Sequence, residues 1–442
     1  MRNWNEVFEG KKITVMGLGL LGRGVGDAKF LAQHGANIIV TDIKTKEELA
    51  ESVAILSDLP NVTFRLGGHD REDFKNRDFI LKSAGVPLNS PYIAEAQNNN
   101  IPIKMSASWF AELAQIPTVG VTGTRGKSTV THMLYDILTQ AKLNVLLGGN
   151  VRGVSTLALL PKVEKDSFAL LELDSWQCQG FGDAGISPNI AVFTTFMPDH
   201  LNYYNGDINR YLDDKAQIFL HQSDSDTLIA GSQVAPLLKE KYKTIRSHVV
   251  VTDIKKFPKE IVLKVPGEHN RENALSAIET ARALGIDDSV TFSAISSFKG
   301  VAGRLEFLGT VRGVSIYNDA TSTTPDALRV ALHALSQNGR RPTSTILIMG
   351  GTDKELSPES FPVQAMQTTK KTILLSGSGT EKIRHLLPDA PVFSSLTEAV
   401  EDAFATAEEG DIILFSPAFA SFGMFKNEFD RSDQFVRIIK EH

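Results

Sequence analysis

The 442-residue chain lacks several features that would assign it to a special class of protein. It contains one cysteine, Cys178, which excludes an internal disulfide framework and a cysteine-rich zinc site. No apolar run approaches the length of a membrane span. The first residues, MRNWNEVFEGKK, contain acids and no apolar core, so they do not form a secretory signal. We therefore expect a cytoplasmic protein without a membrane partner.

Basic charge is also scarce. The chain has 46 Lys and Arg against 52 Asp and Glu, which gives a formal net charge of −6. This balance argues against nucleic acid as the main partner. The hydrophobic content of 42% and the charged content of 22% are typical of a globular protein, and the length predicts two to four domains.

Apolar strand-like runs alternate with helical periodicity, which predicts an α/β protein with mostly parallel sheets. Three of these runs lead directly into glycine turns, namely ITVMGLGLLGRG at 13–24, TVGVTGTRGKST at 118–129 and TILIMGGTDKE at 345–355. Their separation predicts three nucleotide-fold-like units. Polar or proline-bearing joints lie near 111–117 and 298–306. We therefore predict domains at 1–112, 113–302 and 303–442.

The second glycine turn, TGTRGKST, has the chemistry of a triphosphate site. Backbone amides between Gly123 and Lys127 can converge on phosphate oxygens, Lys127 can neutralise their charge, and Ser128 can ligate Mg²⁺. The strict P-loop pattern has a glycine where Val121 stands, so this is a shorter variant. The alternative is a plain strand-to-helix turn with a chance lysine. Agreement among the strand, the glycines, the lysine and the hydroxyl residues disfavours that alternative.

The first glycine turn has the spacing of a dinucleotide fingerprint. GLGLLG at 17–22 forms GxGxxG after a strand, and Asp42 ends the next strand. An NAD-dependent dehydrogenase is therefore one interpretation. A nucleotide sugar also has a diphosphate and a ribose, so the motif does not separate the two ligands. The run at 79–87, FILKSAGVP, places Ser83 and Gly85 at a further strand end, where ligands gather in open sheets.

Polar side chains follow two apolar runs in the middle of the chain. Glu172 lies within FALLELDSWQ, where an unpaired carboxylate is costly and a cation bound to triphosphate would relieve that cost. Asp199 and His200 end IAVFTTFMPDH. A lone histidine is usually structural, but its position after a second buried strand favours a site role. Lys215 follows Tyr211 by one helical turn, and a solvated surface lysine is the alternative.

The segment GEHNRENALSA opens an alanine-rich helix with two asparagines, Asn270 and Asn273. An asparagine side chain can bind an adenine edge through paired donor and acceptor groups. Helix capping by Asn270 is the alternative interpretation.

In their order along the chain, these motifs resemble those of the Mur ligases, and the resemblance covers essentially the whole sequence. The matching segments are GTRGKST, LELDSWQ, DH at 199–200, YLDDK, GEHNRENA, GRLE, YNDAT and SPAFASFGMFKN. Within the family the chain most closely resembles the ligases that add glutamate. The resemblance implies an N-terminal Rossmann-like UDP-binding domain, a central P-loop ATPase-like domain and a C-terminal Rossmann-like glutamate-binding domain.

The resemblance also implies an ATP-dependent reaction in peptidoglycan precursor synthesis. ATP would phosphorylate the free carboxylate of UDP-N-acetylmuramoyl-alanine, and the glutamate amine would attack the acyl phosphate. ATP and one or two Mg²⁺ ions are the implied cofactors, and we expect a monomer. D-glutamate follows from the resemblance alone, and L-glutamate stays open. A folylpolyglutamate-type ligase, an NAD-dependent dehydrogenase and a non-enzymatic ATP-binding scaffold are the competing hypotheses.

Individual roles follow from the same resemblance. The implied ATP contacts are Gly123, Thr124, Arg125, Gly126, Lys127, Ser128, Thr129, Asn270, Asn273, Arg304 and Asp319. The implied contacts to the UDP-sugar are Gly19, Leu20, Leu21, Asp42, Ser83, Gly85 and Asn150. The implied glutamate contacts are Thr321, Thr323, Lys354, Ser421 and Phe422. The catalytic set is Lys127, Glu172, His200 and Lys215. The implied metal ligands are Ser128, Glu172, His200 and a carbamylated Lys215, in which the ammonium has become a carboxylate-like group.

Five positions depart from the family pattern. Arg125 replaces the usual asparagine of the phosphate loop, Asp174 stands where serine is common, and Thr195 stands where asparagine often precedes the DH pair. Thr321 occupies the place of a lysine associated with glutamate binding, and Glu428 stands where an aromatic residue is common. The last two changes leave the amino-acid substrate less constrained than the fold or the ATP chemistry.

Overall fold

The structure is a computed structural model that describes residues 3–19, 22–87, 89–200, 203–265, 267–336, 344–353 and 358–442. Within these residues the chain forms three open α/β sheets. None of the helices in the described ranges is both long enough and apolar enough to cross a membrane. The predicted α/β class with mostly parallel sheets is confirmed.

The first sheet is parallel throughout, with the strand order β3-β2-β1-β4-β5. Its strands are β1 (Lys12–Met16), β2 (Asn37–Asp42), β3 (Val62–Leu66), β4 (Phe79–Lys82) and β5 (Ile103–Lys104). Its helices are α1 (Trp4–Phe8), α2 (Arg23–Gln33), α3 (Ala50–Leu56), α4 (Pro91–Asn98) and α5 (Ser106–Ala114). Strand order reverses between β1 and β4, and such switch points open a crevice at the carboxyl ends of the strands.

The second sheet is also parallel, with the strand order β11-β10-β9-β6-β8-β7. Its strands are β6 (Thr118–Thr122), β7 (Asn144–Gly149), β8 (Ser167–Glu172), β9 (Ile190–Phe193), β10 (Thr227–Ala230) and β11 (His248–Val251). The helices of this part of the chain are α6 (Lys127–Gln140), α7 (Ser175–Asp183), α8 (Ile208–Leu220), α9 (Ala235–Lys241), α10 (Glu268–Ala283) and α11 (Asp288–Ser297). Because β6 lies between β8 and β9, the segments that follow these three strands meet at one edge.

The third sheet has the strand order β12-β13-β17-β14-β15-β16, with only β12 antiparallel to its neighbour among the described strands. Its strands are β12 (Glu306–Val311), β13 (Val314–Asn318), β14 (Thr345–Gly350), β15 (Lys371–Leu375), β16 (Val392–Phe393) and β17 (Ile412–Phe415). Its helices are α12 (Pro325–Ser336), α13 (Val363–Gln367), α14 (Ser378–Ile383), α15 (Leu396–Thr406) and α16 (Glu428–Glu441).

The strands that carry the glycine turns are buried on both faces. Every residue of β6 and β14 is buried, and so are the last four residues of β1. Helices cover both faces of a parallel sheet, so these strands appear in the sequence as continuous apolar runs. Because the strands themselves are buried, we expect polar functional side chains to lie at the ends of the strands.

Contacts divide the chain into two compact units. One unit comprises Met1–Phe257 with Glu272–Ala294 and contains the first two sheets, and the other comprises Pro258–Arg271 with Ile295–His442 and contains the third. One hydrophobic core runs through the first two sheets, and separate cores cover the two faces of the third. The domain limits expected at 112/113 and 302/303 stay a prediction.

Candidate functional site

The phosphate loop, residues 123–126, joins β6 to α6 and requires glycine at two positions. Gly123 has φ +142°, and a Cβ there would lie 2.0 Å from Thr194 Oγ1. Gly126 has φ +87°, and a Cβ there would lie 2.3 Å from Asn273 Oδ1. Left-handed backbone and close neighbours together exclude larger residues at both positions. The loop can therefore pass close to other groups with its backbone uncovered.

The start of α6 directs positive potential into this loop. Gly126 gives the helix no side-chain cap, so its dipole and first amides face the loop. Lys127 follows directly, and its Nζ donates to the carbonyls of Gly123 at 2.9 Å and Thr124 at 3.2 Å. The ammonium thus lies over the loop, where a phosphate would sit. This arrangement is a ready anion-binding site.

An acidic group lies beside the phosphate loop. Glu172 is the last residue of β8 and is 3% exposed, and its Oε1 accepts a hydrogen bond from Ser128 Oγ at 3.0 Å. The pairing of β6 with β8 sets Val121 opposite Glu172, which brings the two segments together. A hydroxyl and a buried carboxylate side by side are hard oxygen ligands of the kind that Mg²⁺ prefers.

Lys215 is buried beneath the same loop. Its Nζ donates to the Gly123 carbonyl at 2.9 Å and to Thr122 Oγ1 at 3.5 Å, and it lies 4.9 Å from the centroid of the Tyr211 ring. Burial, with a further contribution from the charge of Lys127, lowers the pKa of Lys215 to about 7. The interpretation of Lys215 as a solvated surface lysine is wrong. Its amine is largely neutral near physiological pH, and a neutral amine can act as a nucleophile.

His200 lies on the loop after β9. Its backbone has φ +52°, its amide donates to Asp199 Oδ1 at 2.9 Å, and its ring centroid is 4.9 Å from that of Trp176. Desolvation of the ring lowers the pKa of His200, although Asp199 raises it in part. A neutral imidazole is the form that binds metal.

Arg125 ties the phosphate loop to the His200 loop. Its Nη1 donates to Asp199 Oδ2 at 2.9 Å, and its amide donates to Thr195 Oγ1 at 3.0 Å. The Thr124 amide donates to the Thr195 carbonyl at 2.7 Å. Two of the departures from the family pattern, Arg125 and Thr195, are therefore bonded to each other. No group of three or more His, Cys, Asp and Glu side chains that could hold a metal occurs among the described residues.

A second recess lies at the switch point of the first sheet. It has a volume of about 200 Å³ and is lined by the glycine turn after β1, the end of β4, the start of α5 and the loop after β7. We call it the glycine-turn cleft. Gly19, Ser83 and Gly85, three of the predicted UDP-sugar contacts, line it. Leu20 and Leu21 lie outside the described residues.

Asp42 and Asn150 form hydrogen bonds with backbone and side-chain groups near this cleft. The Asp42 carboxylate accepts from the amides of Leu18 at 2.8 Å and Gly19 at 3.3 Å, so it closes the glycine turn. The backbone N–H of Asn150 donates to the Glu172 carbonyl at 2.6 Å, and the side-chain Oδ1 of Asn150 accepts a hydrogen bond from Arg23 Nη1. The roles of Asp42 and Asn150 toward a UDP-sugar stay predictions.

The structure adds three charged residues to the cleft that we did not identify from the sequence: Arg23, Asp27 and Lys82. The Asp27 carboxylate accepts from the hydroxyls of Ser155 at 2.6 Å and Ser106 at 2.7 Å, and burial raises its pKa to about 6. For Lys82, the sequence did offer a signal, because a charged residue ends the otherwise apolar run FILK.

Lys82 turns away from the open space of the cleft. It is 1% exposed, and its Nζ donates to the carbonyls of Val86 at 2.6 Å and Ser83 at 3.3 Å. Burial lowers the pKa of Lys82 to about 8. The ammonium therefore holds the loop after β4 in shape.

The third sheet carries predicted nucleotide contacts near its first connection. The Asp319 carboxylate accepts from the Leu305 amide at 3.0 Å and from Ser416 Oγ at 2.7 Å. Burial raises the pKa of Asp319 to about 7, and the charge of Arg304 offsets part of that rise. Asp319 is thus a buried, hydrogen-bonded group that orders the loop after β13.

The predicted glutamate contacts in this unit gather after neighbouring parallel strands. Thr321 and Thr323 follow β13, and Ser421 and Phe422 lie in the segment after β17. Thr352, after β14, exchanges backbone hydrogen bonds with Ala420 at 3.0 and 3.1 Å. Ser421 is 4% exposed, whereas Phe422 is 61% exposed. Lys354 lies outside the described residues.

The remaining predicted residues lie on helices. Asn270 and Asn273 lie on α10, and both are buried. Thr129 lies in the first turn of α6. Glu428 is the first residue of α16, which Asn427 caps.

The second of the three α/β sheets carries a glycine phosphate loop next to a buried carboxylate and a buried lysine. Such a site defines a nucleotide-dependent enzyme. Comparison with protein families identifies the kind of enzyme. The chain belongs to the Mur ligase family. The Mur ligase MurD-like N-terminal domain matches residues 11–105, the Mur ligase middle domain matches 121–257, and the Mur ligase glutamate ligase domain matches 303–419.

Two relatives that match over nearly the full length carry the same name. The chain is 36% identical to the UDP-N-acetylmuramoylalanine–D-glutamate ligase of Borreliella burgdorferi (strain ZS7), with 96% of each chain covered. It is 32% identical to the ligase of the same name from Roseiflexus sp. (strain RS-1), with 98% of each covered.

Solved structures share the fold. The UDP-N-acetylmuramate-alanine ligase MurC from Thermotoga maritima has a TM-score of 0.62 at 20% identity, with 98% of this chain and 99% of that chain covered. The MurF ligase from the same organism, in complex with ADP, has a TM-score of 0.58 at 18% identity, with 84% and 96% covered.

Proposed function

We propose that this protein is an ATP-dependent ligase that joins D-glutamate to UDP-N-acetylmuramoyl-alanine in peptidoglycan precursor synthesis. The observation that carries the proposal is the cluster formed by the phosphate loop, Ser128 beside Glu172, and the buried Lys215. The full-length similarity to relatives named for this reaction supports the choice of substrates. A dehydrogenase would leave this cluster without a function.

The reaction needs activation because a carboxylate is a poor electrophile. A carboxylate oxygen of the alanyl group attacks the γ-phosphorus of ATP, and ADP leaves with the electrons of the broken P–O bond. The amine of glutamate then attacks the acyl carbon, and the tetrahedral intermediate expels inorganic phosphate as the amine loses its proton. Lys127 and the amides of the phosphate loop would bind the phosphates and offset their charge.

The residues beside the phosphate loop fit Mg²⁺. Ser128 and Glu172 provide adjacent oxygen ligands, and an Mg²⁺ ion usually keeps several waters and binds substrate phosphates, so it needs few protein groups. We propose Ser128 and Glu172 as ligands, with His200 and a carbamylated Lys215 completing one or two sites. When bound, the metal neutralises charge on the transferred phosphoryl group.

The surroundings of Lys215 support its carbamylation. The neutral amine can attack CO₂, which gives a carbamate and releases one proton. The pKa of about 7 makes the neutral form abundant at physiological pH. Carbamylation would also place an anion near the Lys127 ammonium, which attracts it, whereas a protonated Lys215 would repel it.

The three sheets offer a place for each substrate. We propose that residues 1–112 bind the UDP-sugar through Gly19, Leu20, Leu21, Asp42, Ser83 and Gly85. Residues 113–302 would bind ATP and, through Asn150, contact the muramyl part of the UDP-sugar. Residues 303–442 would bind glutamate through Thr321, Thr323, Lys354, Ser421 and Phe422. The cytoplasmic location and the monomeric state expected from the sequence stay predictions.

Phosphate release from ATP tests the proposed function. The protein is incubated with Mg·ATP, UDP-N-acetylmuramoyl-alanine and one amino acid at a time, including both enantiomers of glutamate. We expect stoichiometric phosphate release with D-glutamate and formation of the UDP-linked dipeptide, detected by mass spectrometry. Use of a neutral or basic amino acid instead would overturn the choice of glutamate, and absence of product with every amino acid would overturn the ligase.

A further inference from the structure

Charge in the glycine-turn cleft is nearly balanced before any ligand binds. Among the residues described as lining it, only Arg23, Asp27 and Lys82 are charged. Asp27 is a carboxylate that is ionised above about pH 6, and Lys82 directs its ammonium to backbone carbonyls. A diphosphate would bring further negative charge into this space and needs a cation to offset it.

Two amides of the glycine turn are already engaged within the chain. In dinucleotide folds the amides of such a turn face the pyrophosphate. Here the Asp42 carboxylate already accepts from the amides of Leu18 and Gly19. These two donors are occupied, and the carboxylate adds negative charge behind the turn. Side-chain donors around the cleft can therefore add to what the turn offers a diphosphate.

Arg23 is the side chain in position to supply them. It is the first residue of α2, directly after the glycine turn, and its side chain lies in the cleft and is partly exposed. Its guanidinium reaches Asn150, on the loop after β7, so it spans from the first sheet toward the second. One neutral amide oxygen occupies one of its five donors, and the rest can form charge-assisted bonds.

We propose that Arg23 binds the diphosphate of the UDP-sugar, an inference that rests on the proposed function. Arginine suits this role because its planar donors match phosphate oxygens and its charge persists at every physiological pH. Its bond to Asn150 directs the guanidinium toward the loop after β7. A diphosphate bound there would place the alanyl end of the substrate toward the second sheet.

The affinity of the full-length protein for UDP and for uridine tests the proposal, because the two ligands differ only in the diphosphate. We expect Arg23→Ala to weaken UDP binding by roughly ten- to hundredfold and to leave uridine binding unchanged. Arg23→Lys should lose less, since it keeps the charge but not the fork of donors. Both affinities can be measured by competition with the labelled substrate.

Two further variants separate this role from simpler ones. Lys29→Ala removes an exposed cation from the same helix and should leave UDP affinity unchanged. Asn150→Ala removes the hydrogen-bond acceptor of Arg23 but keeps the charged guanidinium at the start of α2, and it should weaken UDP binding much less than Arg23→Ala does. If Asn150→Ala matches Arg23→Ala, the arginine acts only by holding Asn150, and the proposal is wrong.

The outcomes for the inference and for the function are distinct. Equal weakening of UDP and uridine in Arg23→Ala would mean a general structural effect and would overturn the inference while the ligase activity stood. A wild-type protein that binds neither UDP nor UDP-N-acetylmuramoyl-alanine would overturn the proposed function, and the inference with it. A loss confined to the diphosphate, with the KM for ATP unchanged, would support both.

Discussion

The protonation of Lys215 gives the sharpest test of the site. Burial and the neighbouring Lys127 charge lower its pKa from 10.5 to about 7. At pH 7.5 roughly three quarters of the side chains are then neutral, whereas a lysine with an ordinary pKa is neutral in about one molecule in a thousand. Only the neutral amine captures CO₂. Labelling of Lys215 by CO₂ should therefore be fast at neutral pH and slow down about tenfold for each pH unit well below 7.

Labelling with ¹³C-bicarbonate measures this directly. The initial rate of carbamate formation at Lys215 is followed by ¹³C NMR between pH 5.5 and 9, at a constant concentration of dissolved CO₂. We expect the rate to level off above about pH 8 and to reach half its maximum near the lowered pKa. Lys215→Ala should show no signal and little ligase activity, and a small added carboxylate should restore part of that activity by occupying the vacated position.

Two charge variants check the physical cause of the shift. Lys127→Ala removes a cation that lowers the Lys215 pKa, so the midpoint of labelling should move to higher pH. Lys29→Ala removes an exposed cation from α2 and should leave the midpoint unchanged. A rate that is the same at pH 5.5 and pH 8, or a wild-type midpoint above pH 9, would refute the idea of a buried neutral amine. An active ligase that never carries the label would refute carbamylation.

Three further substitutions test the phosphate loop and the amino-acid site. Lys127→Ala should reduce phosphate release by at least about tenfold, with the unfolding temperature nearly unchanged, and a smaller loss would contradict its role at the phosphates. Gly123→Ala should abolish ATP binding in calorimetry, because its Cβ would lie 2.0 Å from Thr194 Oγ1, whereas Gly185→Ala, with φ +64° and open space, should bind ATP normally. Lys354→Ala should raise the KM for glutamate about ten- to hundredfold, since a charge-assisted hydrogen bond contributes roughly 1.5–3 kcal/mol, and an unchanged KM would exclude this lysine from the amino-acid site.

The phosphate loop could be predicted because its signal is local. A buried strand, two glycines, a lysine and a hydroxyl residue follow one another within residues 118–129, and each has a backbone or charge reason for its place. The approach of Glu172 to this loop could also be anticipated, since parallel strands bring their carboxyl ends to one edge of a sheet. The α/β class followed from apolar runs alternating with helical periodicity.

The charged residues of the glycine-turn cleft could not be predicted in the same way. Arg23, Asp27 and Lys82 acquire their surroundings from segments far away in the sequence, such as Ser155 beside Asp27. Asp42 has a partner of the same long-range kind, because its carboxylate accepts from the amides of the glycine turn, while the ribose contact suggested by its spacing stays a prediction. Periodicity reports which face of an element is buried, but not which polar partner it meets there.

The structure also explains why the departures from the family pattern differ in consequence. Asp174 caps α7 through a reciprocal bond with the third residue of the helix, a task that serine performs equally well. Arg125 forms an exposed ion pair with Asp199, and such pairs are worth little, so the guanidinium can leave it for a phosphate at small cost. Thr321 is different, because its hydroxyl donates to the Gly303 carbonyl and supplies no charge. The positive charge for a glutamate carboxylate must then come from another residue, and Lys354 is the one that the family pattern offers.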